Sequence, residues 1–251
     1  MQKSLKCYKK QVTMNRRAFL KSSSLALGGA LLAFGGSQNS VLAAATPSIP
    51  SAHGVQYLDV VTLSWLAYKG NFRFGRWRSV TGKVWRTVTR YQRGPLHAVL
   101  VEGDKRILAF SGTDEPLDWA DNIMQAVIGL SGQYLNALDI ARNSGCEIVV
   151  GHSLGGGLAS FAAIHTGKRC ATVNPAPLAL TPANREQIAR RGHLVVNYVV
   201  SGEILEIIDA LLPNMSSVGA KINVPSRGRS PIAKHYLSNL IGFAPPTYLG
   251  T

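Results

Sequence analysis

Polar and apolar positions along the chain follow the spacing of a helix in some segments and of a strand in others. Between residues 57 and 69, apolar side chains recur every three or four positions, which predicts an amphipathic helix. We predict further helices at residues 133–143, 154–166 and 182–191. Alternating or continuous apolar runs predict strands at residues 84–91, 97–101, 106–110, 147–150, 171–173 and 194–200.

The first 45 residues have a different pattern and are predicted to be a leader. They contain seven Lys and Arg but no Asp or Glu, then a glycine-interrupted apolar run at 25–34, and small residues at 41–45. This order is typical of a signal peptide. As a membrane anchor the apolar run is short, because a spanning helix needs about 20 residues. Residues 15–21 resemble the twin-arginine motif, which implies that the precursor meets the Tat export machinery and becomes periplasmic or secreted.

Removing this leader changes the domain boundaries and the charge. Residues 46–56 contain two prolines and a glycine and are predicted to be a linker. Residues 57–251 have the length of a single domain. The formal net charge of the whole chain is +14, and the leader supplies half of it. The mature protein is therefore only moderately basic.

Basic and aromatic side chains are concentrated in residues 72–93, which we call the basic-aromatic strip. It has seven Lys and Arg, five aromatic residues and no acid. One interpretation is a solvated basic face with aromatic side chains packed beneath it. The same composition suits peripheral contact with an anionic membrane surface, where the cations bind phosphate and the rings lie at headgroup depth. Single-stranded nucleic acid is the least favoured partner.

A short motif between a predicted strand and a predicted helix carries the candidate chemistry. Residues 151–155 read Gly-His-Ser-Leu-Gly, with the strand before them and a helix of small residues after them. A strand, a sharp turn with serine at its tip and a helix form the nucleophile elbow of α/β-hydrolases. We therefore expect an α/β protein of the α/β-hydrolase fold, with a mostly parallel central sheet flanked by helices, and Ser153 as the nucleophile.

The order of residues after Ser153 limits which acid and which histidine can act with it. In this architecture an acid and then a histidine follow the serine. The downstream histidines are His165, His193 and His235, of which only the last follows every downstream acid. His235 is therefore the expected base. Glu203, three residues past a predicted strand, is the preferred acid, and Asp209 is its main alternative.

A resemblance to a known family depends on two motifs together. Ala109-Phe110-x-Gly112-Thr113 with Asp118-Trp119-x-Asp121, and then Gly-His-Ser-Leu-Gly-Gly at 151–156, resemble class 3 (fungal-type) lipases, especially bacterial members, over residues 57–241. The resemblance implies that Thr113 and the backbone N–H of Leu154 form the oxyanion hole. Ser111 stands where the family usually has arginine. The resemblance also implies a lid over residues 115–130; a buried helix is the alternative.

Cysteine and metal-ligand patterns add little. Outside the leader, Cys146 and Cys170 begin neighbouring predicted strands and either form a disulfide or remain buried thiols. No zinc, phosphate-loop or dinucleotide motif stands in the right context, so we expect neither a metal nor a cofactor.

These observations together indicate an exported serine hydrolase. Its expected substrates are carboxylic esters of lipids, as for a triacylglycerol lipase or a phospholipase A. The alternatives are a soluble esterase or polyester depolymerase with the same site, and a catalytically silent hydrolase-like module that binds lipid through the basic-aromatic strip.

Overall fold

The strands of the structure, a computed structural model, form one large sheet and one small one. The structure describes residues 48–113 and 131–251, so the predicted leader and the predicted lid at 115–130 lie outside the described residues. Within these ranges the large sheet has nine strands. They are β1 (Gly75–Arg78), β2 (Val84–Arg93), β3 (Leu96–Glu102), β4 (Arg106–Phe110), β5 (Ile148–Ser153), β6 (Arg169–Pro175), β8 (Val195–Val199), β10 (Ala220–Asn223) and β11 (Thr247–Tyr248). Strands β7 (Leu178–Ala179) and β9 (Met215–Ser216) pair separately.

The large sheet has a parallel half and an antiparallel half. Its spatial order is β10-β8-β6-β5-β4-β3-β2-β1-β11. Pairs from β10 to β4 are parallel, and pairs from β4 to β11 are antiparallel. The predicted α/β fold is confirmed, and the inner strands of its parallel half are buried on both faces, whereas the edge strand β10 is mostly exposed. Every residue of β5 is buried for this reason, whereas β1 alternates between buried and exposed.

Helices cover both faces of the sheet. They are α1 (Tyr57–Ala67), α2 (Ser131–Asn143), α3 (Leu154–Thr166), α4 (Pro182–Arg191), α5 (Ile204–Leu211) and α6 (Pro231–His235). Helix α1 packs with Trp77, Trp85 and the inner side chains of β3 to β6 on one face. Helices α2 and α3 form a second core with the other face. Among the described helices, none is long and apolar enough to cross a bilayer.

The segment predicted as a linker is folded over the part that is described. Ala52 and Val55 are buried in the first core, and a bridge joins their backbones. The backbone oxygen of Pro50 accepts a hydrogen bond of 2.8 Å from the hydroxyl of Tyr198. The domain therefore begins before residue 57, because short apolar residues too few for a periodic pattern still cover the sheet.

Cys146 and Cys170 are buried free thiols rather than a disulfide. Their strand runs are parallel neighbours, as expected. Burial raises the pKa of both thiols, which keeps them protonated and unreactive.

Candidate active site

Ser153 stands at a strained turn between β5 and α3. Its backbone has φ 60° and ψ −129°, a conformation that residues other than glycine rarely adopt. The turn is tight enough that a Cβ on Gly151 would overlap the backbone of Gly155. The side chain of Ser153 is buried, and its Oγ has no hydrogen-bond partner among the described residues. The predicted strand, turn and helix are confirmed.

The segment after β4 lies against this turn. A Cβ on Gly112 would be 3.1 Å from Ser153 Cβ and 3.0 Å from the backbone oxygen of His152. Thr113 is the residue after Gly112 in the chain. Leu154 is the first residue of α3, and the first N–H groups of a helix have no partner within the helix. The two residues expected to form an oxyanion hole are thus next in sequence to Gly112 and to Ser153, which lie close together.

Glu203 and His235 form a buried pair. His235 Nδ1 donates to Glu203 Oε2 at 2.6 Å, and both side chains are almost fully buried. Glu203 also caps helix α5, because its Oε1 accepts the backbone N–H of Glu206 at 2.7 Å. Contacts to both oxygens fix the carboxylate, and the imidazole has its proton on Nδ1 and its lone pair on Nε2.

Burial determines the protonation of this pair. It lowers the pKa of His235 well below its ordinary value, so that the imidazole is neutral near pH 7. It raises the pKa of Glu203 to about 7, and the N–H groups of Leu205 and Glu206 oppose that shift. A neutral imidazole with its lone pair on Nε2 is the form that can accept a proton from a hydroxyl.

His152 connects the elbow to His235. Its Nε2 lies 2.9 Å from the backbone oxygen of His235, and the two rings are 4.6 Å apart between centroids. Since a carbonyl only accepts, Nε2 carries the proton and donates. Nδ1 then accepts from the hydroxyl of Tyr68 at 2.6 Å. Burial, with the nearby His235, lowers the pKa of His152 to about 3, which keeps this ring neutral.

Asn174 joins three parts of the site and was missed from the sequence. It is fully buried at the end of β6 with φ 42°. Its Oδ1 accepts the backbone N–H of Val200 at 2.9 Å, and its Nδ2 lies 3.3 Å from the backbone oxygen of His235. An asparagine has neither an ionisable group nor a nucleophilic hydroxyl, so motif and chain order did not point to it. The signal that could have identified Asn174 is its position directly after a predicted parallel strand, where functional side chains collect.

The other downstream groups lie elsewhere. Asp209 accepts the backbone N–H of Ser217 at 3.1 Å and also pairs with Lys221, so the alternative acid is not the one that contacts His235. His165 contacts the side chain of Asn184. Among the described residues, no group of three or more His, Cys, Asp or Glu could hold a metal ion.

The fold and the elbow define the class of the protein as an α/β-hydrolase. A family model described as a phospholipase-like, Tle-like phospholipase domain matches residues 95–245. Because this match covers more than half of the chain, the chain belongs to that family.

Two further comparisons give individual relatives. An extracellular phospholipase A1 from Serratia liquefaciens is 37% identical over 94 residues, which are 35% of this chain and 30% of that enzyme. The chain thus matches less than a third of the length of this relative. Among solved structures, a mutant form of MDLA from Penicillium cyclopium aligns over 73% of this chain and 82% of its own. The identity is 14% and the TM-score is 0.49.

Proposed function

We propose that the protein is an exported serine hydrolase that cleaves carboxylic esters of phospholipids. The observation that carries the proposal is the buried pair of His235 and Glu203, which contacts His152, the residue before the strained serine of the elbow. This arrangement has the order and the chemical roles of a Ser-His-acid triad. Membership of the phospholipase-like family supports lipid esters as the substrate class.

The geometry supports a two-step reaction through an acyl-enzyme. Ser153 Oγ attacks the ester carbonyl carbon while His235 Nε2 takes the hydroxyl proton, and the C–O bond to the leaving alcohol breaks as the imidazolium protonates that oxygen. Water then attacks the acyl-serine, with His235 again as base, and releases the fatty acid and free Ser153. Glu203 holds the imidazole in orientation and stabilises its positive charge.

The negative charge that develops on the acyl oxygen needs preorganised donors. We assign these to the backbone N–H of Leu154 and to Thr113, as the resemblance to class 3 lipases implies. The closeness of Gly112, which precedes Thr113, to Ser153 and the position of Leu154 at the start of α3 support the assignment. Loss of one such donor typically lowers kcat by about 10²–10³.

The basic-aromatic strip contains two different kinds of surface in the structure. The difference matters for contact with a membrane, which we also propose. Trp77 and Trp85 are buried beneath exposed arginines, so this part is a solvated basic face. Phe74 is instead 53% exposed and packs edge-on to Phe72, over which the guanidinium of Arg90 lies at 5.0 Å. An exposed ring beside a cation supports contact with an anionic lipid surface at residues 72–74 and 90.

Hydrolysis of phospholipid by matched serine variants tests the function. Ser153→Ala should abolish fatty-acid release from phospholipid vesicles, measured by mass spectrometry of the products. Ser160→Ala makes the same change at a buried serine about two turns further along α3 and should retain activity. Full activity in Ser153→Ala would overturn the assignment.

Further arms of this assay separate the alternatives. Activity on a soluble ester that does not rise when vesicles are added, with or without anionic lipid, would indicate a soluble esterase or polyester depolymerase. Folded protein whose Ser153 is not labelled by a fluorophosphonate would indicate a catalytically silent lipid-binding module.

A further inference from the structure

The proposed catalytic histidine lies at the end of a very short helix. The hydrogen bonds within that helix are too few to fix the position of the histidine. Helix α6 has five residues and ends at His235. The last carbonyls of a helix have no partner within it, so the backbone oxygen of His235 needs donors from elsewhere. An isolated helix of this length is also unstable in water. The position of the imidazole therefore depends on what holds this carbonyl.

Two side chains supply the donors, and both lie near the C-terminal ends of neighbouring parallel strands. His152 Nε2 is 2.9 Å from this oxygen and Asn174 Nδ2 is 3.3 Å from it. A carbonyl oxygen has two lone pairs, so the two contacts saturate it. All three groups are buried.

The orientation of the Asn174 amide follows from its other contact. The backbone N–H of Val200 can only donate, so the atom 2.9 Å from it is the amide oxygen, and the NH₂ group faces His235. Val200 comes three residues before Glu203, whose own backbone N–H donates to Val200 O at 3.0 Å. One amide thus connects the segment that carries the acid to the segment that carries the base.

We propose that Asn174 is a positioning residue for catalysis, which fixes His235 relative to Glu203 and to the elbow. The inference deepens the proposed function and rests on it. Asn174 touches no reacting atom. It acts by holding the backbone from which the imidazole projects, and an error of about 1 Å in such a group can lower the rate about a hundredfold.

The left-handed backbone of Asn174 permits a clean test. Asn174→Gly removes the side chain but keeps a residue that adopts φ 42° without strain. We expect kcat on a soluble short-chain ester to fall about a hundredfold with little change in KM, because the substrate is not contacted.

A matched control exists at the opposite ends of the strands, near the starts of β6 and β8. His53 also has a positive φ, 54°, and its side chain contacts two backbone oxygens, those of Cys170 and Leu194. His53→Gly therefore loses comparable contacts and should lower the melting temperature while leaving kcat unchanged. Equal kcat in Asn174→Gly and wild type would overturn the inference.

A second variant distinguishes positioning from a general loss of packing. Asn174→Asp keeps the acceptor, and its protonated carboxyl keeps a donor as well. Ionisation removes that donor and places a negative charge beside the pair. Its kcat/KM relative to wild type should therefore fall as pH rises; a ratio independent of pH would contradict the inference.

Failure of this inference is distinct from failure of the proposed function. If wild-type Ser153 reacts with a fluorophosphonate and both Asn174 variants react at the wild-type rate, only the inference is wrong. If wild type does not react, the proposed function itself is wrong.

Discussion

Glu203 and His235 share one proton-binding equilibrium, because only 2.6 Å separates their contacting atoms. Two groups this close titrate as a unit. Catalysis needs the neutral imidazole and the carboxylate, so protonation of the pair removes activity. Burial raises the pKa of Glu203 to about 7 and disfavours the imidazolium.

The first prediction concerns the pH dependence of this pair. We expect kcat/KM on a soluble ester to rise with pH along a limb centred near 7, as the pair loses its proton. The charge of Glu206 contributes to the raised pKa of Glu203, so Glu206→Gln should move that limb to lower pH. A pH–rate profile from about pH 5 to about pH 9 measures both shifts. A flat profile would contradict the assignment of the pair.

At this scale the sequence predicted the ionisable residues but not the residues that hold them. Chain order after Ser153 was enough to select His235 and to prefer Glu203, because few acids and histidines occur there. Tyr68 carried only the signal of an apolar helix position, yet it contacts His152 across 84 residues. Such contacts depend on which strands become neighbours, and local patterns do not contain that information.

Close packing between elements shapes the site as much as its side chains do. The start of α3, the end of β4 and the end of α1 meet where glycines replace side chains. A Cβ on Gly112 would overlap the hydroxyl of Tyr68, and a Cβ on Gly156 would be 2.8 Å from Pro175. Real Cβ atoms rarely lie this close to other atoms, so a side chain at either position would force the neighbouring residues to shift.

The second prediction concerns this packing. Gly112→Ala should displace the segment that carries Thr113 from Ser153 and lower kcat by about tenfold or more. Overpacking should also reduce the free energy of unfolding by about 1–3 kcal/mol. Gly70→Ala is the control, because a Cβ there meets nothing within 4 Å. Kinetics and thermal unfolding of both variants check the prediction, which fails if the two behave alike.

Elements with strong periodicity were predicted well, and short elements were not. The strands at 97–101 and 106–110 and the helix at 154–166 are confirmed within a residue or two. Strand β11 has two residues and exists because β1 offers Trp77 and Arg78 for pairing. The antiparallel half of the sheet likewise depends on hairpin geometry rather than on the apolar pattern that signals parallel strands.

For the whole molecule, we also propose export. Support comes from the basic composition and the twin arginines of the first 45 residues. The twin-arginine route carries folded proteins. The pair of arginines marks a protein for this route and is therefore its critical element.

The third prediction tests that route. Replacing Arg16 and Arg17 together by lysine keeps the charge but should stop export, leaving the precursor with its leader in the cytoplasm. Cell fractionation with detection of the intact chain measures this. Exchanging Lys9 and Lys10 for arginine is the control and should leave export unchanged. Export of the first variant at the wild-type rate would show that another route is used.

The contacts from Tyr68 through His152 to His235 have a consequence for when the site forms during synthesis and folding. Its two links join residues 84 and 83 positions apart. Contacts between such distant residues form late in folding, because each requires a long loop to close. A growing chain on the ribosome has no catalytic centre until the segment around His235 has emerged and docked. The order of synthesis therefore delays the proposed hydrolysis until that segment has docked.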